Sequence, residues 1–180
     1  MRSFLFVPAD SDRKLAKGAG SGADALILAL EDAVALDNKS AARAGAIDYL
    51  RTRVSDDQQT VLVRMNALDT EFWEQDLSSI VPAKPDAIMV PKTISGACVA
   101  KVCAHLTALE NEHNLPAGGI KLMNVATETA ASMFNLGTYE NVSERFIAMT
   151  WGAEDLAADL GARSNKDMAG VYTEPYTLAR

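Results

Sequence analysis

Six short apolar runs punctuate the chain: SFLFVP (3–8), ALILAL (25–30), TVLVRMN (60–66), DAIMVP (86–91), IKLMNV (120–125) and RFIAMTW (145–151). They are almost continuously apolar rather than alternating, the pattern of parallel strands covered on both faces. The stretches between them carry helix signals. Asn38 is placed to cap a helix running through Ala41, Arg43, Ile47 and Leu50, and Val99, Val102, Leu106 and Leu109 fall at helical spacing after Ser95. Helix ends are expected at Gly22, at Pro82 and Pro85, and at the Pro116–Gly119 turn. No low-complexity stretch, linker or sequence repeat interrupts the alternation. Six βα units allow either an open doubly wound sheet or most of a (β/α)8 barrel.

Polar residues gather at the C-terminal ends of these runs. Glu31 and Asp32 follow the second, Arg64 lies on the third, Lys92 follows the fourth, and Glu128 and Asp155 follow the fifth and sixth. In an open sheet such groups lie too far apart to meet; in a barrel they converge on one mouth. A carboxylate beside a core strand is costly to desolvate without a partner. Two of them, Glu128 and Asp155, at successive strand ends point to a shared counter-charge. With two histidines in the chain, the donor set suits a hard, oxygen-binding cation such as Mg²⁺ better than zinc. Both acids also read as ordinary helix N-terminal residues satisfying backbone N–H groups. Arg64 is unusual inside an apolar strand unless its charge is used, either on substrate or in a pair with Glu31 or Asp32.

Composition narrows the classes. With 180 residues, 48% of them hydrophobic, the chain can bury one core, so one domain spanning 1–180 is expected. A formal charge of −7 and a pI near 4.8 argue against a nucleic-acid partner, which needs a basic face. No apolar stretch reaches membrane-spanning length, and the opening MRSFLFVPAD breaks at a proline, so neither a membrane span nor a signal peptide is expected and the location reads as cytoplasmic. Cys98 and Cys103 support neither a disulfide framework nor a zinc site.

Six segments together resemble the citrate lyase β-subunit family, within the HpcH/HpaI group of aldolases and acyl-CoA lyases that includes malyl-CoA lyase. They are RSFLFVPAD (2–10), GADALILALEDAV (22–34) with Lys39 and Arg43 after it, VRMN (63–66), MVPKT (89–93), ATETA (126–130) and MTWGAEDLAADLG (149–161). The resemblance implies an α/β fold of the (β/α)8 TIM-barrel type, usually oligomeric, of which this chain covers about the first six units. It implies Mg²⁺ held by Glu128 and Asp155, substrate bound by Arg64 and Glu128, and Glu31 and Asp32 orienting Arg64 or a metal-bound water, with solvated loop acids as the alternative for those two. Lys14 and Lys17 would meet the phosphates of a coenzyme A or phosphopantetheine arm, or simply form a solvated helix face.

Three departures stand out. Ala29 replaces the first acid of the family's DLED, and Ser11 stands where an arginine is common. The family also runs on for roughly another third, with an aspartate thought to act as acid or base. The expectation is therefore a domain incomplete at its C-terminus. The reading is a Mg²⁺-dependent carbon–carbon lyase that splits a citryl-, malyl- or citramalyl-like thioester of coenzyme A or an acyl carrier protein into an acyl thioester and a 2-oxo acid. A malyl-CoA-type thioesterase and a non-catalytic truncated member are the alternatives. His105 and His113 read as surface or packing residues, Trp73 as helix packing, and Trp151 as a possible wall of the site.

Overall fold

The computed structural model describes residues 1–53 and 59–180. Each apolar run holds a strand whose ends fall within two residues of those expected: β1 (Phe4–Pro8), β2 (Ala25–Ala29), β3 (Thr60–Arg64), β4 (Ala87–Val90), β5 (Lys121–Val125) and β6 (Phe146–Thr150). They form one parallel sheet in the order of the chain, β1-β2-β3-β4-β5-β6. The helices are α1 (Asp12–Ala19), α2 (Lys39–Thr52), α3 (Trp73–Ile80), α4 (Gly96–Glu112), α5 (Ala153–Asp159) and α6 (Glu174–Ala179).

Helices α1 to α4 all bury their apolar stripes on one face. Leu15, Ala46, Leu77 and Leu106 join Leu28, Val63, Ile88 and Leu122 of the strands in a single layer. The opposite face holds a smaller cluster of Ala25, Ile27, Leu62, Met89, Met123 and Val125. A doubly wound sheet reverses its strand order and carries helices on both faces. Neither is seen, so the open-sheet alternative falls and the architecture is that of the α/β barrel type. Each fully buried leucine or isoleucine in these layers contributes roughly 1.5–3 kcal/mol.

Continuous burial holds for β2 and β4 throughout. It does not hold for the outer strands: Phe4, Leu5 and Phe6 on β1 and Ile147 and Met149 on β6 are exposed. Two local expectations also change. Asn38 precedes α2 but makes no capping bond, because a 3₁₀ turn (Leu36–Asn38) delivers it already in helical geometry. Its side chain donates instead to Asp10 Oδ2 at 3.2 Å. The connection from β5 to β6 is not an α-helix but two 3₁₀ turns, Ala131–Phe134 and Leu136–Tyr139. There the Ser132 hydroxyl donates to the Thr129 carbonyl and the Thr138 hydroxyl to the Asn135 carbonyl, local bonds that compete with a regular helix.

The N-terminal ends of β5 and β6 are locked by a buried ion pair. Glu110 of α4 accepts the N–H groups of Gly118 at 2.9 Å and Ile120 at 3.0 Å, and both terminal nitrogens of Arg145. Arg145 also donates to the Ile120 carbonyl and to Thr107 Oγ1, each at 3.1 Å. Among the described residues no helix is long and apolar enough to cross a membrane.

Candidate active site

The C-terminal ends of the strands bring together Glu31, Asp32, Arg64, Lys92, Glu128 and Asp155. Arg64 is the last residue of β3 and pairs in register with Ala29 of β2 and Met89 of β4. That register sets its side chain on the inner face with Ile27 and Leu62. Its Nη2 lies 2.8 Å from Glu31 Oε2 and 3.1 Å from Glu128 Oε1, with Asp32 at 4.0 Å. Phe6 of β1 offers its ring 5.9 Å from the guanidinium carbon. The Arg64 Nε is buried without a hydrogen-bond partner among the described residues. Ala29, the departure from DLED, sits beside it in register, so the position that offers an acid in the resembling pattern here offers a methyl group.

Lys92 closes the cluster from the other side. Its Nζ is 2.7 Å from Glu31 Oε1, 2.9 Å from Asp32 Oδ2 and 3.7 Å from Asp155 Oδ1. Its backbone N–H donates to Glu128 Oε2 at 2.5 Å. Glu128 is itself buried, and it lines one cavity together with Asp155. Burial raises the Glu128 pKa most and Asp155 adds to it. The Lys92 amide and Arg64 pull the other way, and the result is pushed up to about 7. Burial also raises Asp32, but the hydrogen bonds and charge of Lys92, with the charge of Arg64, hold it below the usual carboxylate range. Lys92 is lowered by burial yet held above an ordinary lysine by Glu31 and Asp32.

Four carboxylates thus face two cations in contact distance, leaving two formal negative charges when all are ionised. That is the charge of one divalent ion. Among the described residues no three His, Cys, Asp or Glu side chains form a ready protein cage for a metal. Mg²⁺ does not need one: it takes one or two carboxylates and fills its octahedron with water and substrate oxygens. Glu128 and Asp155, close together and oxygen-only, fit that requirement.

A supporting layer fixes these groups. Lys39 of α2 donates to the carbonyls of Leu30 at 2.7 Å and Glu31 at 2.8 Å, pinning the segment from which Glu31 and Asp32 project. Arg43, one turn on, donates to Asp76 Oδ1 at 2.7 Å, and Asp76 Oδ2 accepts the backbone N–H of Asn66, just past β3. Gly152 lets the last strand end close against Glu128, since a Cβ there would fall 2.6 Å from Glu128 Cγ. Beside Glu128 and Asp155 opens a cavity of about 340 Å³, walled by Leu68, Ile94, Cys98 and Ala158 and edged by Asp69 and Asp159.

The other sequence-derived candidates lie elsewhere. Lys14 and Lys17 are exposed on α1 and share no hydrogen bond or ion pair with the cluster. His105 stacks edge-on against Trp73, 5.2 Å between centroids, on the helical layer. Trp151 packs on Tyr172 at 5.2 Å rather than lining the cavity. Sequence reasoning gave no role to Lys92, Phe6, Gly152 or Cys98. The matched MVPKT segment held a signal for Lys92, whereas nothing in the chain's order foretells that Gly152 touches Glu128.

Comparison with known proteins gives a consistent picture. The family model HpcH/HpaI aldolase/citrate lyase matches residues 2–180. The chain is 33% identical over 159 residues to the citrate lyase subunit beta of Leuconostoc mesenteroides subsp. cremoris, covering 88% of this chain and 52% of that one. It is 37% identical over 166 residues to a (3S)-malyl-CoA thioesterase of Cereibacter sphaeroides, covering 92% and 53%. The chain therefore spans about half the length of these relatives. Among solved structures, protein CitE from Mycobacterium tuberculosis in complex with magnesium, acetoacetate and coenzyme A superposes with a TM-score of 0.75 at 30% identity, over 97% of this chain and 57% of that one.

Proposed function

The chain belongs to the HpcH/HpaI aldolase/citrate lyase family, and on that premise we propose that it forms the catalytic face of a Mg²⁺-dependent carbon–carbon lyase acting on a β-hydroxyacyl thioester. The observation that carries this reading is the meeting of Glu128 and Asp155 beside the Arg64 guanidinium, which keeps one buried donor unpaired. Bound between the two carboxylates, Mg²⁺ would supply a Lewis acid for the oxygens of a 2-hydroxy or 2-oxo acid.

The chain's own groups account for the rest. In the cleavage direction the hydroxyl gives up its proton and becomes a carbonyl as the bond between its carbon and the carbon next to the thioester breaks, and one proton is returned to the other fragment. The first fragment leaves as the 2-oxo acid, the second as a thioester enolate that then takes up a proton. Arg64 is a fixed positive fork at that point. The guanidinium can hold a substrate carboxylate or the enolate oxygen while Nη2 stays anchored on Glu31 and Glu128. Glu31 and Asp32, tied to Lys92, set the angle of the guanidinium. The apolar walls of the cavity exclude water from the reacting carbons.

A thioesterase activity is the second reading, favoured by the 37% identity to a protein of that name. The two differ in product. The test is to incubate the protein with malyl-CoA, citramalyl-CoA and a citryl thioester, with Mg²⁺ and with chelator. A lyase releases a 2-oxo acid, trapped as its phenylhydrazone, and no free thiol. A thioesterase releases free coenzyme A and no 2-oxo acid. Activity undiminished by chelator would remove the metal from the reading.

A further inference from the structure

The placement of Lys92 is unusual in two respects. Its backbone adopts φ of 50°, the left-handed region that residues with a Cβ seldom occupy. That turn points the amide at Glu128 while the side chain reaches back to Glu31 and Asp32. One residue thereby touches three of the four acids through short contacts and approaches the fourth, Asp155, at 3.7 Å. The only other cation in the cluster, Arg64, faces Glu31 and Glu128 and makes no ion pair with Asp155 among the described residues.

A divalent ion held by Glu128 and Asp155 would share those acids with this ammonium. Like charges a few ångströms apart repel strongly where water is partly excluded, and the Lys92 side chain is 29% exposed. We propose that Lys92 is a built-in competitor for the metal, a positioning residue that holds the carboxylates in place and lowers their affinity for a divalent cation. The proposal rests on the reading of Glu128 and Asp155 as metal ligands. It reverses the outcome expected of a merely structural lysine. Removing a structural lysine loosens the site and weakens the metal, whereas removing a competitor tightens it.

The experiment is calorimetric titration of Mg²⁺ into the whole protein after chelation and dialysis, for wild type, Lys92→Gln and Lys92→Arg. Lys92→Gln is expected to bind Mg²⁺ about tenfold tighter at low ionic strength, with the gap narrowing as KCl is added. Lys92→Arg, which keeps the charge, should stay near wild type. A folded Lys92→Gln with equal or weaker binding overturns the proposal, as does a Lys92→Arg that tightens to the same extent. Should Lys92→Gln fail to fold, the wild type still decides. Reductive methylation of Lys92, followed by mass spectrometry, should rise when Mg²⁺ is added, and an unchanged yield counts against competition. A wild type that binds no Mg²⁺ removes the metal reading and this proposal together, a result distinct from tight wild-type binding that the variant leaves unaltered.

Discussion

The two ends of the sheet carry buried charge in opposite ways. At the N-terminal ends of β5 and β6, one acid meets one base, and Glu110 has every lone-pair direction answered by Gly118, Ile120 and Arg145. At the C-terminal ends, four acids crowd two bases, Arg64 Nε has no partner among the described residues, and a cavity opens alongside. The first arrangement is closed and balanced, as a fastener should be. The second is under-neutralised and incomplete, as a site that expects a ligand should be. The pKa directions repeat the contrast. Glu110 is raised by burial but held below its ordinary value by Arg145 and two amides, whereas Glu128 is driven up to about 7.

The sharpest way to break this comparison is Glu110→Ala. It strands Arg145 in the interior, and removing one partner of a buried pair costs about 3–5 kcal/mol. Urea unfolding should show that loss, while Mg²⁺ affinity of the folded fraction stays unchanged. An Arg64→Lys variant should do the reverse. An ammonium cannot replace a planar fork holding two acids and a substrate oxygen, so kcat/KM should fall roughly 10²–10³-fold with unfolding little altered. Near-normal turnover in that variant would make Arg64 structural.

Smaller effects separate the ends further. Glu128→Gln relieves carboxylate crowding, so in chelator at pH 8 it should gain about 1 kcal/mol of stability while binding Mg²⁺ at least tenfold more weakly. Calorimetry and urea midpoints measured on the same samples test both halves. The pH dependence follows from the same groups. The folded Glu128 pKa lies above its unfolded value, so between about 4.5 and about 7 the folded state holds the extra proton and stability falls as pH rises. For Glu110 the folded value is depressed. Its contribution is present above the ordinary glutamate range and is lost as pH falls through the lowered value. Urea midpoints in chelator should show wild type losing ground to Glu128→Gln as pH rises through the range from about 4.5 to about 7, and to Glu110→Gln as pH falls below the ordinary glutamate range. A flat difference for either variant removes the corresponding assignment.

What could be read from the chain depended on whether a property was local. The six strands were legible because β2 to β5 are buried on nearly every residue, which leaves an unbroken apolar run. Arg64 announced itself by interrupting one. The acids after β2, β5 and β6 were visible as polar residues at strand ends, and the barrel-type order brings them to one side. The helix expected between β5 and β6 failed because Thr129, Ser132 and Thr138 bond their own backbone, a competition that apolar spacing does not register. The roles of Lys39 and Arg43 were hidden in a matched segment, since what each holds is a carbonyl or an acid on another element. Lys92 was placed at the mouth but given no role there. Its importance comes from a left-handed turn that lets a single residue serve four acids, and a lysine carries no sequence mark of that conformation.

Gly152 bears on how this site would respond to variation. A side chain at that position has its first carbon inside the space of Glu128, so replacement there pushes the glutamate off its station without altering any charge. An alanine scan would therefore score Gly152 among the acids and Arg64, although it lends no functional group, and a library built to retune substrate choice should leave it untouched. The boundary of the site, drawn by mutational sensitivity, thus extends one residue beyond the boundary drawn by chemistry.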